Sequence, residues 1–519
     1  MAYMMKLLFK QKLKNLLQKI INKLNIIITF INKGGNNVFI LTINITTLFP
    51  YLCVFLTFFV HFVRKQYKNM YILYEKCKNG YRGELIMYRK IAEELKKWKN
   101  DYKMPLMLVG AKQTGKTYIL EEFCKNNFDN YIYINLDKEE NISEIFEETI
   151  DPDIIIEKIE IIKNITINPV DTIIFLDEIQ VSERAITSLK YFCESEKPYK
   201  IVCAGSLLGV KINRFKSSFP VGKVTIKYLY PMDFEEYLIA LGEDKLINEI
   251  KEHYNSFEPL INPIHEKSLD LYKKYLVLGG MPAMINNFIS NDYNISHVNF
   301  EIQEQIITSY LADMNKYTEN SEGIKNSQIY NSIPKELARV NNTFKYSIVD
   351  KDARKVRYVS SLDWLLASNM ILKCDLTEKN ESPLKAFVNS DKFKIYLSDV
   401  GLLRSLSNID YSEILLDKNE MFKGVLTENF VACELYPKSK ELYYYNFLKY
   451  EIDFLVKIDG DIIPIEVKSG RRTNSKSLNE YIKKYNPKYS IRISTKNFGY
   501  ENNIKSVPLY AVFCINKAN

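Results

Sequence analysis

Gly110-Ala111-Lys112-Gln113-Thr114-Gly115-Lys116-Thr117 follows the apolar run Leu106-Met107-Leu108-Val109 and precedes a helix-forming stretch that opens at Tyr118. The pattern is GxxxxGKT, set in the order strand, loop, helix. Its glycines let the backbone curl so that N–H groups face phosphate oxygens, and the helix that follows sets its positive end beneath them. In that arrangement Gly110, Gln113, Thr114 and Gly115 form the cradle. Lys116 reaches the β- and γ-phosphates, and the Thr117 hydroxyl holds Mg²⁺. ATP with Mg²⁺ is therefore the expected ligand.

Two strands downstream support the loop. Thr172-Ile173-Ile174-Phe175-Leu176 has the composition of a fully buried strand and ends in Asp177-Glu178. It is expected beside the loop-bearing strand, with Asp177 near the metal and Glu178 polarising the attacking water. Lys200–Ala204 reads as a further strand, after which Ser206 is either a γ-phosphate sensor or a plain turn serine.

The chain then turns helical. Pro231–Glu266, Ser268–Ile285 and Ile302–Tyr317 carry helical periodicity, and Ile329–Ala338 with Arg357–Ser368 and Met370-Ile371-Leu372 reads as helix, turn, helix, strand. That order is compatible with a small winged-helix module. Lys345, Lys351, Arg354, Lys355 and Arg357 would form its basic patch if it read DNA, whereas a packed lid would instead report nucleotide state.

Near the C-terminus, Glu451–Lys457 and Ile462–Lys468 alternate in period two around Asp459-Gly460, a strong hairpin turn. A two-residue turn there sets Asp453 opposite Glu466, and Glu451 opposite Lys468, on one side of the pair. Directly opposed carboxylates repel unless a cation lies between them. Asp453 and Glu466 are thus candidate Mg²⁺ ligands, with Lys468 orienting a water, as in the PD-(D/E)xK nuclease pattern. Glu428, in the helical stretch 426–435, stands where such enzymes carry an additional acid. The plainer alternative is an ion pair between Glu451 and Lys468 on an inactive scaffold.

Taken together, Asp177-Glu178-Ile179-Gln180, Leu189–Phe192, Ala204–Gly209, Pro220–Val224, Gly279-Gly280-Met281-Pro282, Ile333–Leu337 and the block 422–434 resemble a group of prokaryotic AAA-type ATPases. These carry a C-terminal domain of uncharacterised function that looks like a restriction-endonuclease fold. The resemblance runs from about Met87 to the C-terminus. It implies that Gly280 and Pro282 belong to a Gly-x-Pro segment that contacts the adenine, as in signalling-type P-loop ATPases.

The fold class expected is α/β. It comprises a P-loop AAA-type ATPase core over residues 87–240, a helical lid with a winged-helix-like module over 241–375, and a C-terminal α/β PD-(D/E)xK nuclease-like domain over 376–519. Residues 1–86 form a separate extension with thirteen lysines and arginines against two glutamates. Residues 6–28 read as a basic amphipathic helix and 38–63 as an uncharged stretch long enough to span a bilayer. A mis-assigned start, a membrane anchor and an extra soluble helix all fit that composition. The net charge of +8 comes from this extension, and the remaining chain is mildly acidic, so total charge is no argument for nucleic-acid binding. Four unclustered histidines and eight cysteines without a CxxC pair disfavour zinc sites and disulfides, and suit a reducing cytoplasm.

Two functions follow. One is an ATPase coupled to a nuclease acting on DNA or RNA. The other is a signalling or protein-remodelling ATPase whose C-terminal domain is an inactive scaffold for a protein partner.

Overall fold

The computed structural model describes residues 87–206, 210, 219–316, 320–339, 342–351, 354–470 and 476–515. The described residues belong to one compact unit, Ile86–Asn519. The expectations for residues 1–86, including the stretch 38–63, lie outside the described residues. Among those described, no helix is long and apolar enough to cross a membrane.

The first sheet is built from β1 (Leu106–Val109), β2 (Asn130–Asn135), β3 (Thr172–Asp177), β4 (Lys200–Gly205) and β5 (Thr225–Tyr228). All neighbours are parallel, in the order β2-β3-β4-β1-β5. Alternate residues of one strand enter different cores. Met107, Ile174 and Ile201 pack with the helices Glu140–Glu148, Pro152–Lys163 and Glu183–Glu194. Leu108, Phe175 and Val202 pack with Ile91–Asn100 and Lys116–Asn127. Two covered faces explain why these strands read as continuous apolar runs.

One expectation is corrected. β3 does not lie beside β1, because β4 intervenes. The helix Lys116–Asn127 crosses β2, β3 and β4, which brings its first turn back to the end of β3.

The middle of the chain is helical as expected, with Phe234–Ala240, Asp244–Ser256, Asn262–Leu278, Pro282–Ser290, Glu301–Lys316, Asn320–Leu337 and Lys355–Ala367 as its longer members. Gly279-Gly280 splits what periodicity suggested was one helix from Ser268 to Ile285.

The second sheet contains β6 (Ile371–Thr377), β7 (Val388–Leu397), β8 (Leu442–Phe447), β9 (Tyr450–Ile458), β10 (Asp461–Val467), β11 (Ser490–Ser494), β12 (Gly499–Glu501) and β13 (Ile504–Pro508). Its order is β12-β13-β11-β10-β9-β8-β6-β7. β6 therefore joins this sheet and is not a private wing of the preceding helices. The boundary drawn at residue 375 falls inside it, because β6 pairs with β8, far along the chain, as well as with β7. The β9–β10 hairpin keeps the expected register, Ile458 pairing with Asp461 and Phe454 with Ile465. Asp459 and Gly460 both take positive φ, at 51° and 89°, as a tight two-residue hairpin turn requires.

The ATPase side and the second sheet meet in an aromatic cluster. Phe430, from the helix Glu420–Ser439, lies 6.2 Å from Phe234, 5.1 Å from Tyr272 and 5.7 Å from Tyr275 between ring centroids. These edge-on contacts join three helices that are distant in sequence. Phe430→Ala is expected to cost about 3–5 kcal/mol, read as a lower denaturant midpoint, since a fully buried phenylalanine leaves a cavity that its neighbours fill only in part.

Candidate functional site

The glycine-rich loop begins where β1 ends. Gly110 tolerates no side chain, since a Cβ there would stand 2.1 Å from the Leu229 carbonyl oxygen. Gln113 and Gly115 take positive φ, 65° and 91°, and Gly115 opens the helix Lys116–Asn127. The Thr114 hydroxyl donates to the Ala111 carbonyl at 2.9 Å. Lys116 is buried, and its Nζ donates to the carbonyls of Gly110 at 3.0 Å and Ala111 at 2.8 Å. Burial pulls its pKa down to about 8, against the opposing charges of Glu178 and Asp177.

Asp177 comes to Thr117 as expected. Its Oδ2 accepts from the Thr117 hydroxyl at 3.0 Å and from the Tyr133 hydroxyl at 2.9 Å, while Oδ1 accepts the Glu178 N–H at 3.1 Å. Glu178 has left-handed φ, and its carboxylate accepts from the Gln180 side-chain amide. Ser206 is buried one residue beyond the pairing of Val109 with Gly205, so it lies level with the start of the loop.

Pro282 also reaches the loop. Its Cγ would lie 3.6 Å from a Cβ placed on Gly115. Gly280 is fixed from both sides, its carbonyl accepting the Met232 N–H at 2.7 Å and its own N–H donating to Asp399 Oδ2 at 2.6 Å. A Cβ on Gly280 would meet the Met232 carbonyl oxygen at 2.0 Å, and one on Gly279 would meet Asp399 Oδ1 at 2.3 Å. Asp399 also caps the helix Val400–Leu406 through the Leu402 N–H. Burial raises its pKa to about 6, despite the N–H groups that favour the anion.

Several contributors carry no sequence motif. Arg89 is buried, donating from Nη1 to the Thr114 carbonyl at 2.8 Å, from Nη2 to the Tyr230 carbonyl at 2.6 Å, and pairing through Nε with Glu236 at 3.1 Å. The helix Glu301–Lys316 closes over the loop. There Asp313 pairs with Lys112 at 3.0 Å, the Tyr310 hydroxyl donates to the Lys112 carbonyl at 2.9 Å, and Gln113 donates to Ser309 at 3.1 Å. The basic residues Lys345, Lys351, Arg354, Lys355 and Arg357 are all exposed, with Lys355 paired to Asp391.

The C-terminal constellation assembles differently from expectation. Lys468 Nζ lies 3.2 Å from Glu466 Oε1, and the Val467 N–H donates to Asp453 Oδ2 at 2.7 Å. Glu466 Oε2 is buried with no hydrogen-bond partner. Glu428 has partners of its own. Its Oε1 accepts from Lys394 Nζ at 3.1 Å, the Tyr396 hydroxyl at 2.6 Å and the Asn342 amide at 3.0 Å. Lys394 also pairs with Glu451 at 2.8 Å, so Glu451 is held by Lys394, and the ion-pair partner of Lys468 is Glu466 in place of the alternative pair with Glu451. Among the described residues, no three His, Cys, Asp or Glu side chains are arranged to hold a metal ion. Of the expected set Glu428, Asp453 and Glu466, Glu428 already receives the Lys394 ammonium, while Glu466 keeps one oxygen unpartnered. Burial, with the charge of Glu428, lifts Asp453 to about 7.

Residues 102–238 match the family model described as an AAA domain. Two domains of unknown function follow, DUF8612 over 269–413 and DUF4143 over 423–512. No curated protein matches. Among solved structures, a Walker-type ATPase of Pyrococcus abyssi is similar at 15% identity over 63% of this chain and 99% of its own, with a TM-score of 0.40. The ORC2 protein of Aeropyrum pernix, in ADPNP–ADP complexes, shares 11% identity over 65% of this chain and 97% of its own, at 0.35. A STAND protein with a tetratricopeptide-repeat sensor from Pyrococcus horikoshii shares 15% over 69% of this chain and 46% of its own, at 0.25. Likenesses this loose carry no argument about function. The loop, the Thr117–Asp177 pair and the matched family model agree: the chain carries an AAA-type P-loop ATPase domain.

Proposed function

We propose that this protein is an ATP-hydrolysing switch whose C-terminal α/β domain binds a partner according to nucleotide state. The observation that carries the reading is the hydrogen bond from Gly280 to Asp399. Through it, the segment that sets Pro282 against the phosphate loop is fastened to the domain that holds the second sheet.

Lys116 and the loop N–H groups bind the phosphates, and the turn of Lys116 onto two loop carbonyls is released when phosphate oxygens offer better acceptors. Thr117 and Asp177 are the residues that would hold Mg²⁺, which supplies charge neutralisation on the phosphates when bound. Glu178 positions and polarises water, with Gln180 orienting its carboxylate. The helix Glu301–Lys316 senses the loop through Asp313 and Tyr310.

For the C-terminal domain, the lysine-occupied carboxylate set supports a binding role without cleavage. The second reading is a nuclease. It is favoured by the helix–three strands–helix–strand order from Glu420 to Ser494 and by Glu466 beside Lys468 with one oxygen unpartnered. Mg²⁺- or Mn²⁺-dependent cleavage of single- or double-stranded DNA or RNA, lost in Lys468→Ala, would establish that reading and overturn the first. No cleavage is expected.

Glu178→Gln should leave ATP binding intact and slow hydrolysis by roughly 10²–10⁴-fold, the range for loss of a positioned proton acceptor, measured as steady-state phosphate release. ATP affinity should fall as pH rises through about 8. The free protein loses the Lys116 proton there, while the complex retains it, so binding takes up protons above that pH. Calorimetry in two buffers of different ionisation enthalpy checks both the trend and the uptake. Asp399→Asn turns an amide N–H₂ towards one of two backbone donors and should cost about 1–3 kcal/mol of stability. It should also uncouple the domains. Hydrogen exchange within 423–512 should change on ATP binding in the wild type and not in Asp399→Asn. A wild type in which ATP alters exchange only within 102–238 would sink the switch.

A further inference from the structure

Lys394 on β7 is fully buried, an environment in which an unpaired ammonium is strongly disfavoured. Burial works against its charge, and Glu428 and Glu451 outweigh that, keeping it protonated. Its Nζ lies 2.8 Å from Glu451 Oε1 and 3.1 Å from Glu428 Oε1, and 5.0 Å from the centroid of the Tyr444 ring. An ammonium has three donors in a compact head. Two are spent here on carboxylates from different elements, Glu428 on the helix Glu420–Ser439 and Glu451 on β9.

The neighbours are also acidic. Asp453 sits two residues beyond Glu451 on the same face of β9, and its charge is coupled to both Glu428 and Lys394. Glu466, across the hairpin, is buried with Oε2 unpartnered. Three of these four carboxylates are ion-paired, Glu428 and Glu451 with Lys394 and Glu466 with Lys468, while Asp453 accepts the Val467 N–H. Such a set holds together only around positive charge.

We infer that Lys394 is the resident cation of this site. Its ammonium fastens Glu428 to Glu451 where a strand pattern of this kind would otherwise gather ligands around a divalent ion, so the native domain is organised without a metal. The inference rests on the reading of the C-terminal domain as a binding module. Its consequence is chemical. An ammonium neutralises carboxylates but offers no open coordination position, and a neutral side chain in its place leaves carboxylates that recruit a hard divalent cation.

The test uses the full-length chain carrying Lys116→Ala, which removes the nucleotide site, and Mn²⁺ followed by its electron paramagnetic resonance signal and by thermal melting. The parent should show no saturable Mn²⁺ site tighter than about 1 mM. Adding Lys394→Met should create one site, at least about tenfold tighter, with a Tm that rises with Mn²⁺. Asp453→Asn in the same chain should remove it. If Lys394→Met does not fold, Lys394→Met with Glu451→Gln carries one buried charge fewer and is tested the same way; folding that requires Mn²⁺ in either variant supports the inference. A parent that binds Mn²⁺ saturably and loses it with Asp453→Asn overturns it. So does a folded Lys394→Met chain that binds none, or variants that stay unfolded even with Mn²⁺. Metal-dependent nucleic-acid cleavage by the wild type would overturn the binding-module reading and the inference together, whereas these Mn²⁺ results, with no cleavage, overturn the inference alone.

Discussion

The contact on which most of the architecture depends is the seating of Gly279-Gly280 between Met232 and Asp399. The backbone there has Met232 on one side and a buried carboxylate on the other, with no space for a Cβ at either glycine. A backbone packed that closely has few ways to move on its own. A shift of Pro282 at the phosphate loop must therefore be accommodated at Asp399, and Asp399 is the cap of the helix Val400–Leu406. Gly401 repeats the constraint from the far side, where a Cβ would meet the Leu278 carbonyl oxygen at 2.5 Å. Three glycines thus convert a loose connection into a joint.

That joint matters because the other links across the molecule are plastic or apolar. The aromatic cluster around Phe430 supplies burial but little directionality. The Phe234 N–H bonded to Glu434 at 2.7 Å adds a second directed link, again from the helix that covers the second sheet. Arg89 does the equivalent within the ATPase side, tying the Thr114 carbonyl to Tyr230 and Glu236. The phosphate loop is thereby held from beneath by an arginine, from above by the helix Glu301–Lys316, and at its flank by Pro282. Each hold comes from a different part of the chain, so each can respond separately to an occupied or empty loop.

What the sequence discloses and what it hides divide along contact range. The strand–loop–helix order around Gly110 and the hairpin at Asp459-Gly460 are local patterns, and both the element types and the β9–β10 register follow from them. Strand order is not local. Nothing in the composition of β3 and β4 says which lies beside β1, since both are uniformly buried. Arg89 and Asp399 act across 141 and 119 residues, on partners that are mostly backbone atoms and leave no motif. The strand β6 is hidden for the same reason. Three apolar residues after a helix suit a wing as well as they suit a sheet, and only the distant β8 decides.

Lys394 shows the limit of reading alternation as exposure. In Lys392-Phe393-Lys394-Ile395-Tyr396-Leu397 the period-two pattern assigns Lys394 and Tyr396 to a solvated face. Yet residues 393–397 are buried throughout, because the helix Glu420–Ser439 covers that face and brings Glu428 with it. A lysine under a helix is tolerable only where carboxylates receive it, and one of them, Glu428, is among the residues that resemble a nuclease's acids. The acidic pattern and the buried lysine therefore have to be read as one unit. The acids taken alone suggest a metal, whereas the acids with their lysine describe a pair of ion bridges that engage Glu428 through Oε1.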